Sequence, residues 1–192
     1  MKDNFPRIER ALEIVVDEFA SAGLLWGVGG SLLLYFHGLL REPNDIDILI
    51  SEENAKEGQH ILHTLGKRQE TAPTILFCTR YFSTYKIAGV KVDLMGGFAI
   101  KHQAGVYHIN FTPESRAGYY QLASKPIPCC RLEDWFVIYQ LIPGKRDKAR
   151  LIAEYFKLRG LANPSALHKA LQRPLPPGVA LEVEELLNSI NS

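Results

Sequence analysis

Apolar positions follow two different spacings along this chain, and the change from one to the other divides it. From Phe5 to Ala22, Ile8, Leu12, Val15, Val16 and Phe19 recur every three or four residues among charged positions, which predicts an amphipathic helix ended by Gly23. Leu24 to Val28 then predicts a buried strand that Gly29-Gly30 stops. Ser31 suits a helix N-cap, so a short helix is expected from Leu32 to His37, with Gly38 at its end. Pro43-Asn44 marks the turn into a strand from Asp45 to Ile50. Ser51 resembles the N-cap of a helix running to about Gly66, with Ile61, Leu62 and Leu65 as its inner face. A polar turn is expected from Lys67 to Pro73. Strands are expected at Thr74–Tyr85 and Val90–Met95, and a hairpin from Ala99 to Phe111.

After Pro126-Ile127-Pro128 the apolar period becomes helical, over Leu132–Leu141, Arg146–Leu158, Pro164–Leu171 and Val179–Ile190. Pro143-Gly144, Asn163-Pro164 and the run from Pro174 to Gly178 supply the breaks between these helices. The pattern therefore predicts an α/β core over roughly residues 1–125 and a helical C-terminal region over 126–192, with boundaries good to about four residues.

Composition narrows the class without naming a function. The 192 residues are 46% hydrophobic and 22% charged, ordinary for a globular chain able to bury a core. No apolar run approaches the ~20 residues needed to span a bilayer. The N-terminus lacks the basic-then-apolar layout of a signal peptide, so a cytoplasmic address is the expectation. Cys78, Cys129 and Cys130 give neither a disulfide framework nor a zinc spacing, and are expected to be buried or inert thiols. His60 and His63 lie one turn apart on a helix with nothing to complete a metal site, which predicts a solvated face. Short segments rich in Leu, Tyr and Phe could support a dimer.

Charge is near balance at +1 but unevenly placed. Residues 1–60 hold 5 basic and 11 acidic side chains, whereas residues 125–173 hold 10 basic and 4 acidic. The balance argues against a dedicated nucleic-acid binder, and the basic C-terminal stretch can face an anionic ligand.

Asp45-Ile46-Asp47 is the chemically informative pair. Residues two apart on a strand point to one face, with Cα atoms roughly 6.6 Å apart, so both carboxylates can share one hard cation or bridge two. Like charges this close repel unless a cation or basic group offsets them. Lys91-Val92-Asp93-Leu94 places a third acid on another strand, again opposite in direction to its apolar neighbours. Three aspartates around two Mg²⁺ ions suit phosphoryl or nucleotidyl transfer, with Asp93 also able to accept a proton as general base. Gly29-Gly30 removes Cβ obstruction before a helix N-terminus, where free N–H groups can meet phosphate. Arg41 can neutralise the acids or touch phosphate, or is a surface residue of its turn. Lys145 and Arg146 open a helix, where positive side chains work against the macrodipole, and a nearby anion would explain them.

Gly29-Gly30-Ser31, followed by Arg41-x-x-Asn44-Asp45-Ile46-Asp47 and then Asp93, resembles the nucleotidyltransferase superfamily that includes DNA polymerase beta, the tRNA CCA-adding enzymes and the antibiotic adenylyltransferases. The resemblance implies a small mixed β-sheet with helices on one side, ATP or another nucleoside triphosphate, and Mg²⁺. It implies that Asp45, Asp47 and Asp93 hold metal and that Gly29, Gly30 and Ser31 hold the triphosphate. The spacing looks most like the stand-alone aminoglycoside and lincosamide adenylyltransferases and AbiEii-type proteins, and Leu132 to Leu141 followed by Lys145-Arg146-Asp147-Lys148 resembles the helical region after their core. Leu32-Leu33-Leu34 stands where tRNA-tailing enzymes carry Val-Arg-Asp, which turns the expectation away from tRNA. The expected function is Mg²⁺-dependent transfer of an NMP, AMP from ATP first, onto a hydroxyl of an unidentified small molecule, protein or RNA end. The rival is a nucleotide-binding or protein-binding module on the same fold without catalysis.

Overall fold

Among residues 5–72 and 75–190, which the computed structural model describes, seven strands form one mixed sheet. They are β1 (Trp26–Val28), β2 (Ile46–Ile50), β3 (Lys67–Gln69), β4 (Tyr81–Ile87), β5 (Val90–Gly96), β8 (Arg116–Leu122) and β9 (Lys125–Cys130). Their order in space is β3-β4-β5-β2-β1-β9-β8. The β2/β5 and β1/β9 pairs are parallel and the others antiparallel. A hairpin of β6 (Phe98–His102) and β7 (Gly105–Ile109) forms a second, two-stranded sheet.

Strand alternation divides the sheet into two chemically different faces. Ile50 and Leu94 point toward Gly58 of helix α3 (Ala55–Leu65), with Phe19 of α1 (Phe5–Ser21) beside them. Ile8, Leu12, Val15, Val16 and Phe19, the apolar stripe of α1, are all buried. The alternate positions Asp47, Leu49, Asp93 and Met95 face the opposite way, toward the C-terminal helices. No described helix is long and apolar enough to cross a membrane.

Those helices are α4 (Leu132–Leu141), α5 (Arg146–Arg159), α6 (Pro164–Leu171) and α7 (Pro177–Ile190), close to the predicted spans. All ten residues of α4 are buried, because α5, α6 and α7 pack around it while it lies against the core. A helix apolar on nearly all sides is stable only when enclosed in this way. Its first turn is anchored by the buried pair Arg131–Asp134, 2.9 Å apart, and by Glu133, whose Oε1 accepts a 2.7 Å bond from the Asn163 backbone at the start of α6.

Several local expectations are corrected. Ser31 is not an N-cap, since α2 (Gly30–Phe36) begins a residue earlier with Gly29 in the cap position. The predicted helix from Ser51 starts at Ala55 instead, because Ser51 and Asn54 close a turn on each other through side-chain bonds of 2.9 and 3.3 Å. Lys67–Gln69 is a strand, recruited by pairing with Lys86, Tyr85 and Thr84. Thr74 lies outside the described residues, as do Met1–Asn4, so part of the predicted strand Thr74–Tyr85 and the chain's first residues are not described. Residues 75–80 run beside β6 as an irregular segment, held by the Phe77–Ile100 bridge and by backbone bonds such as Cys78 N–H to Ala99 O (3.1 Å) and Lys101 N–H to Leu76 O (2.8 Å), and regular strand structure starts only at Tyr81. The β8–β9 hairpin was hidden by Pro126 and Pro128, which remove ladder donors, and β9 is correspondingly joined to β1 only at Val28↔Cys129. Cys129 and Cys130 are buried thiols, but Cys78 is exposed.

One contact stitches the helical region to the core. The Trp135 ring of α4 lies directly on Gly29, where an added Cβ would overlap it. The indole is rigid and only 3% exposed, so neither side can give way easily. Gly29→Ala is expected to destabilise the protein by about 1–3 kcal/mol, read as a lowered denaturation midpoint at unchanged m-value.

Candidate active site

Parallel pairing of β2 with β5 sets Asp47 opposite Asp93 in register. Asp45, two residues before Asp47, reaches the same place, and one carboxylate oxygen from each of the three acids lies within 4.8 Å of the others. The acids singled out in the sequence are therefore brought together across two strands 46 residues apart. An all-oxygen, anionic donor set of this kind suits a hard divalent cation such as Mg²⁺.

Close packing of three acids requires compensation, and the three receive it unequally. Asp93 is held from both sides: the Thr84 hydroxyl on β4 donates to Oδ1 at 2.6 Å, and Lys91 Nζ donates to Oδ2 at 2.5 Å. Lys91 also stands 3.7 Å from Asp45 Oδ2. Burial works against the Lys91 ammonium, but the hydrogen bond and charge of Asp93, with Asp45 and Asp47, hold its pKa above the ordinary value. Asp45 accepts a 3.3 Å hydrogen bond from the Ser31 hydroxyl, which in turn accepts the Asn44 backbone N–H at 3.0 Å. Asp47 is the least compensated: burial, then the charges of Asp45 and Asp93, push its carboxyl up to about 7.

The glycines serve this packing directly. Gly30 sits at φ +58°, and a Cβ there would overlap the Asp47 carboxylate. With Trp135 against Gly29, the Gly29-Gly30 step is the space into which the acid and the indole fit.

The acids form the floor of a cleft of about 290 Å³. Its helical wall carries Trp135, Tyr139, Ile142, Lys145 and Lys148; its strand wall carries Phe77, Phe82, Met95 and Phe98. Lys148 Nζ lies 5.1 Å from the centroid of the Tyr139 ring, a cation–π arrangement. Burial and then Lys145 lower the Lys148 pKa, against the pull of Asp47 and Asp45. The Tyr139 hydroxyl, on a residue 3% exposed, has no hydrogen-bond partner among the described residues. Burial and the charges of Asp47 and Asp45 raise its pKa, so it remains a neutral donor.

Not every predicted residue reaches this cleft. Lys145 lines it, whereas Arg146 and Arg41 are exposed, Gly29, Gly30 and Ser31 are buried behind the acids, and none of these five lies on its lining. Lys148 rather than Arg146 shares a helix face with Lys145, a consequence of the three-residue spacing that the sequence already displays. Lys91 was similarly available, two residues before Asp93 on the same strand face. Thr84 and Tyr139 depend on strand register and helix docking, and carry no local signal.

No protein-family model matches the chain, and no curated protein sequence matches it. Solved structures do. A Thermotoga maritima protein assigned as a nucleotidyltransferase shares 25% identity over 80% of this chain and 95% of its own, with a TM-score of 0.61. ANT(2'')-Ia, solved with adenylyl-2''-tobramycin, is 16% identical over 95% of this chain and 96% of its own, with a TM-score of 0.55. The lincosamide antibiotic adenylyltransferase LnuA, solved with lincomycin, is 17% identical over 75% of this chain and 95% of its own, with a TM-score of 0.50. In its seven-stranded mixed sheet, with three acids meeting where β2 pairs with β5, the chain has the fold of the nucleotidyltransferase superfamily, in company with the antibiotic adenylyltransferases.

Proposed function

We propose that this protein is a Mg²⁺-dependent nucleotidyltransferase that moves an NMP, AMP from ATP first, onto a hydroxyl group. The observation that carries the proposal is the triad: Asp45, Asp47 and Asp93 converge within 4.8 Å at the floor of a cleft whose roof bears Lys145 and Lys148. Mg²⁺ held by the three acids would neutralise triphosphate charge and lower the barrier to ionising the acceptor hydroxyl. Structural likeness to adenylyltransferases supports AMP as the transferred group.

The remaining work falls to side chains of the chain itself. The acceptor oxygen attacks the α-phosphorus, the bond from that phosphorus to the bridging oxygen breaks, and pyrophosphate leaves. Lys145 and Lys148 bind the departing phosphates by charge-assisted hydrogen bonds, and Tyr139 donates from its neutral hydroxyl. Ser31 keeps Asp45 oriented through its hydroxyl, and Gly29 and Gly30 leave the room that Trp135 and Asp47 fill. Asp93 takes the acceptor's proton, with Thr84 and Lys91 fixing its two oxygens. Arg41 and Arg146 have no part in this scheme.

A module that had lost catalysis would have no need to keep three repelling acids in register, which favours the enzyme. Asp45→Ala, Asp47→Ala and Asp93→Ala are each expected to lower labelled-AMP transfer by at least about 10³-fold while the far-UV spectrum is kept. Full transfer by any of them would sink the assignment. Lys148→Gln should weaken nucleotide binding about tenfold, measured by calorimetry, with the melting temperature little changed.

Asp47 also makes stability depend on pH. Its folded pKa of about 7 stands above the ordinary 3.8, so the folded state keeps a proton that the unfolded chain has released. That contribution is fully present below about pH 4 and is lost as the pH rises through 7. In chelator-treated protein, Asp47→Asn should therefore gain melting temperature over the parent as pH rises from 4.5 to 8. An equal difference at both pH values would contradict the raised pKa.

A further inference from the structure

The two walls of the cleft differ in chemistry, and the strand wall has no task in nucleotide binding as described. Sheet order places Phe82 on β4 beside Met95 on β5, and Met95 is two residues beyond Asp93 on the same strand face. Phe98 and Phe77 extend this surface, their ring centroids 6.1 Å apart. Phe77 and Phe82 both line the cleft and are each 38% exposed, which leaves apolar area unburied. Among the described residues, every carboxylate lining the cleft belongs to the triad, and the two cations lining it, Lys145 and Lys148, stand on the opposite wall.

Reaction geometry assigns the occupants. In-line displacement puts the entering oxygen and the leaving pyrophosphate on opposite sides of the phosphorus. With the leaving group against Lys145 and Lys148, the hydroxyl enters from the Asp93 side, directly beside the aromatic wall. We infer, building on the transferase assignment above, that the acceptor is an uncharged hydroxyl compound with a flat, apolar or aromatic body, packed on Phe77 and Phe82, with the buried Met95 and Phe98 behind them. A polycationic acceptor such as tobramycin, the group adenylylated in the ANT(2'')-Ia complex, would find on this wall, among the described residues, no carboxylate outside the triad. The fold is shared with that protein, and the acceptor chemistry differs.

The test is calorimetry on the full chain with Mg²⁺ and α,β-methylene-ATP, a nucleotide that binds without turnover. Nucleotide binding is measured first, and its absence would overturn the transferase assignment itself. The nucleotide-loaded protein is then titrated with 4-nitrophenyl β-D-glucoside and, separately, with tobramycin. The expected result is binding of the aryl glucoside at least about tenfold tighter than tobramycin. Phe82→Ala should weaken the glucoside about tenfold, the worth of one aromatic contact, and leave nucleotide affinity within about twofold. Equal or tighter binding of tobramycin, binding of neither probe, or a Phe82→Ala effect confined to the nucleotide would each overturn the inference, the last by giving the aromatic wall to the base.

Discussion

Two parallel strands hold like charges side by side, and much of the surrounding structure exists to make that tolerable. Asp47 and Asp93 are register partners on β2 and β5, with Asp45 joining from the strand's entry. In a poorly hydrated floor their mutual repulsion is stronger than at the surface. Lys91 supplies a positive charge, Thr84 and Ser31 supply hydroxyl donors, and Gly30 leaves room for the Asp47 carboxylate. Burial, and then the charges of Asp45 and Asp93, nonetheless push the Asp47 carboxyl up to about 7.

The same floor explains how the two sequence regions cooperate. The strands supply the acids and the aromatic wall, while the turn from α4 into α5 supplies the lysines. Placement of that turn depends on α4, buried along its whole length and pressed through Trp135 onto Gly29. The Gly29-Gly30 step thus lets an acid approach on one side and a helix on the other. Its lack of side chains serves protein packing as directly as any phosphate.

Periodicity made α1 and the four C-terminal helices readable, because each buries a stripe or a whole surface at helical spacing. Asp45, Asp47 and Asp93 were readable for the converse reason: acids interrupting apolar strands are costly without a use. What escaped depended on partners distant in sequence. Lys67–Gln69 becomes a strand only because β4 offers it an edge, and β9 is a strand despite two prolines because β8 pairs with it. Thr84 reaches Asp93 by register, and Tyr139 reaches the cleft by helix docking, neither of which leaves a local mark. Arg41, marked by its place in the turn before the acids, and Arg146, marked by its place at a helix start, are both exposed and off the cleft lining, because neither position specifies where the side chain points.

The central claim is that the three carboxylates form a divalent-cation site that serves a nucleotide. Mn²⁺, whose paramagnetic signal is quenched on binding, reports this directly when titrated into the protein with and without α,β-methylene-ATP. The account predicts tight Mn²⁺ uptake that strengthens with the nucleotide and is lost in Asp93→Asn. Nucleotide binding indifferent to Mn²⁺, or Mn²⁺ uptake unchanged by Asp93→Asn, would contradict it.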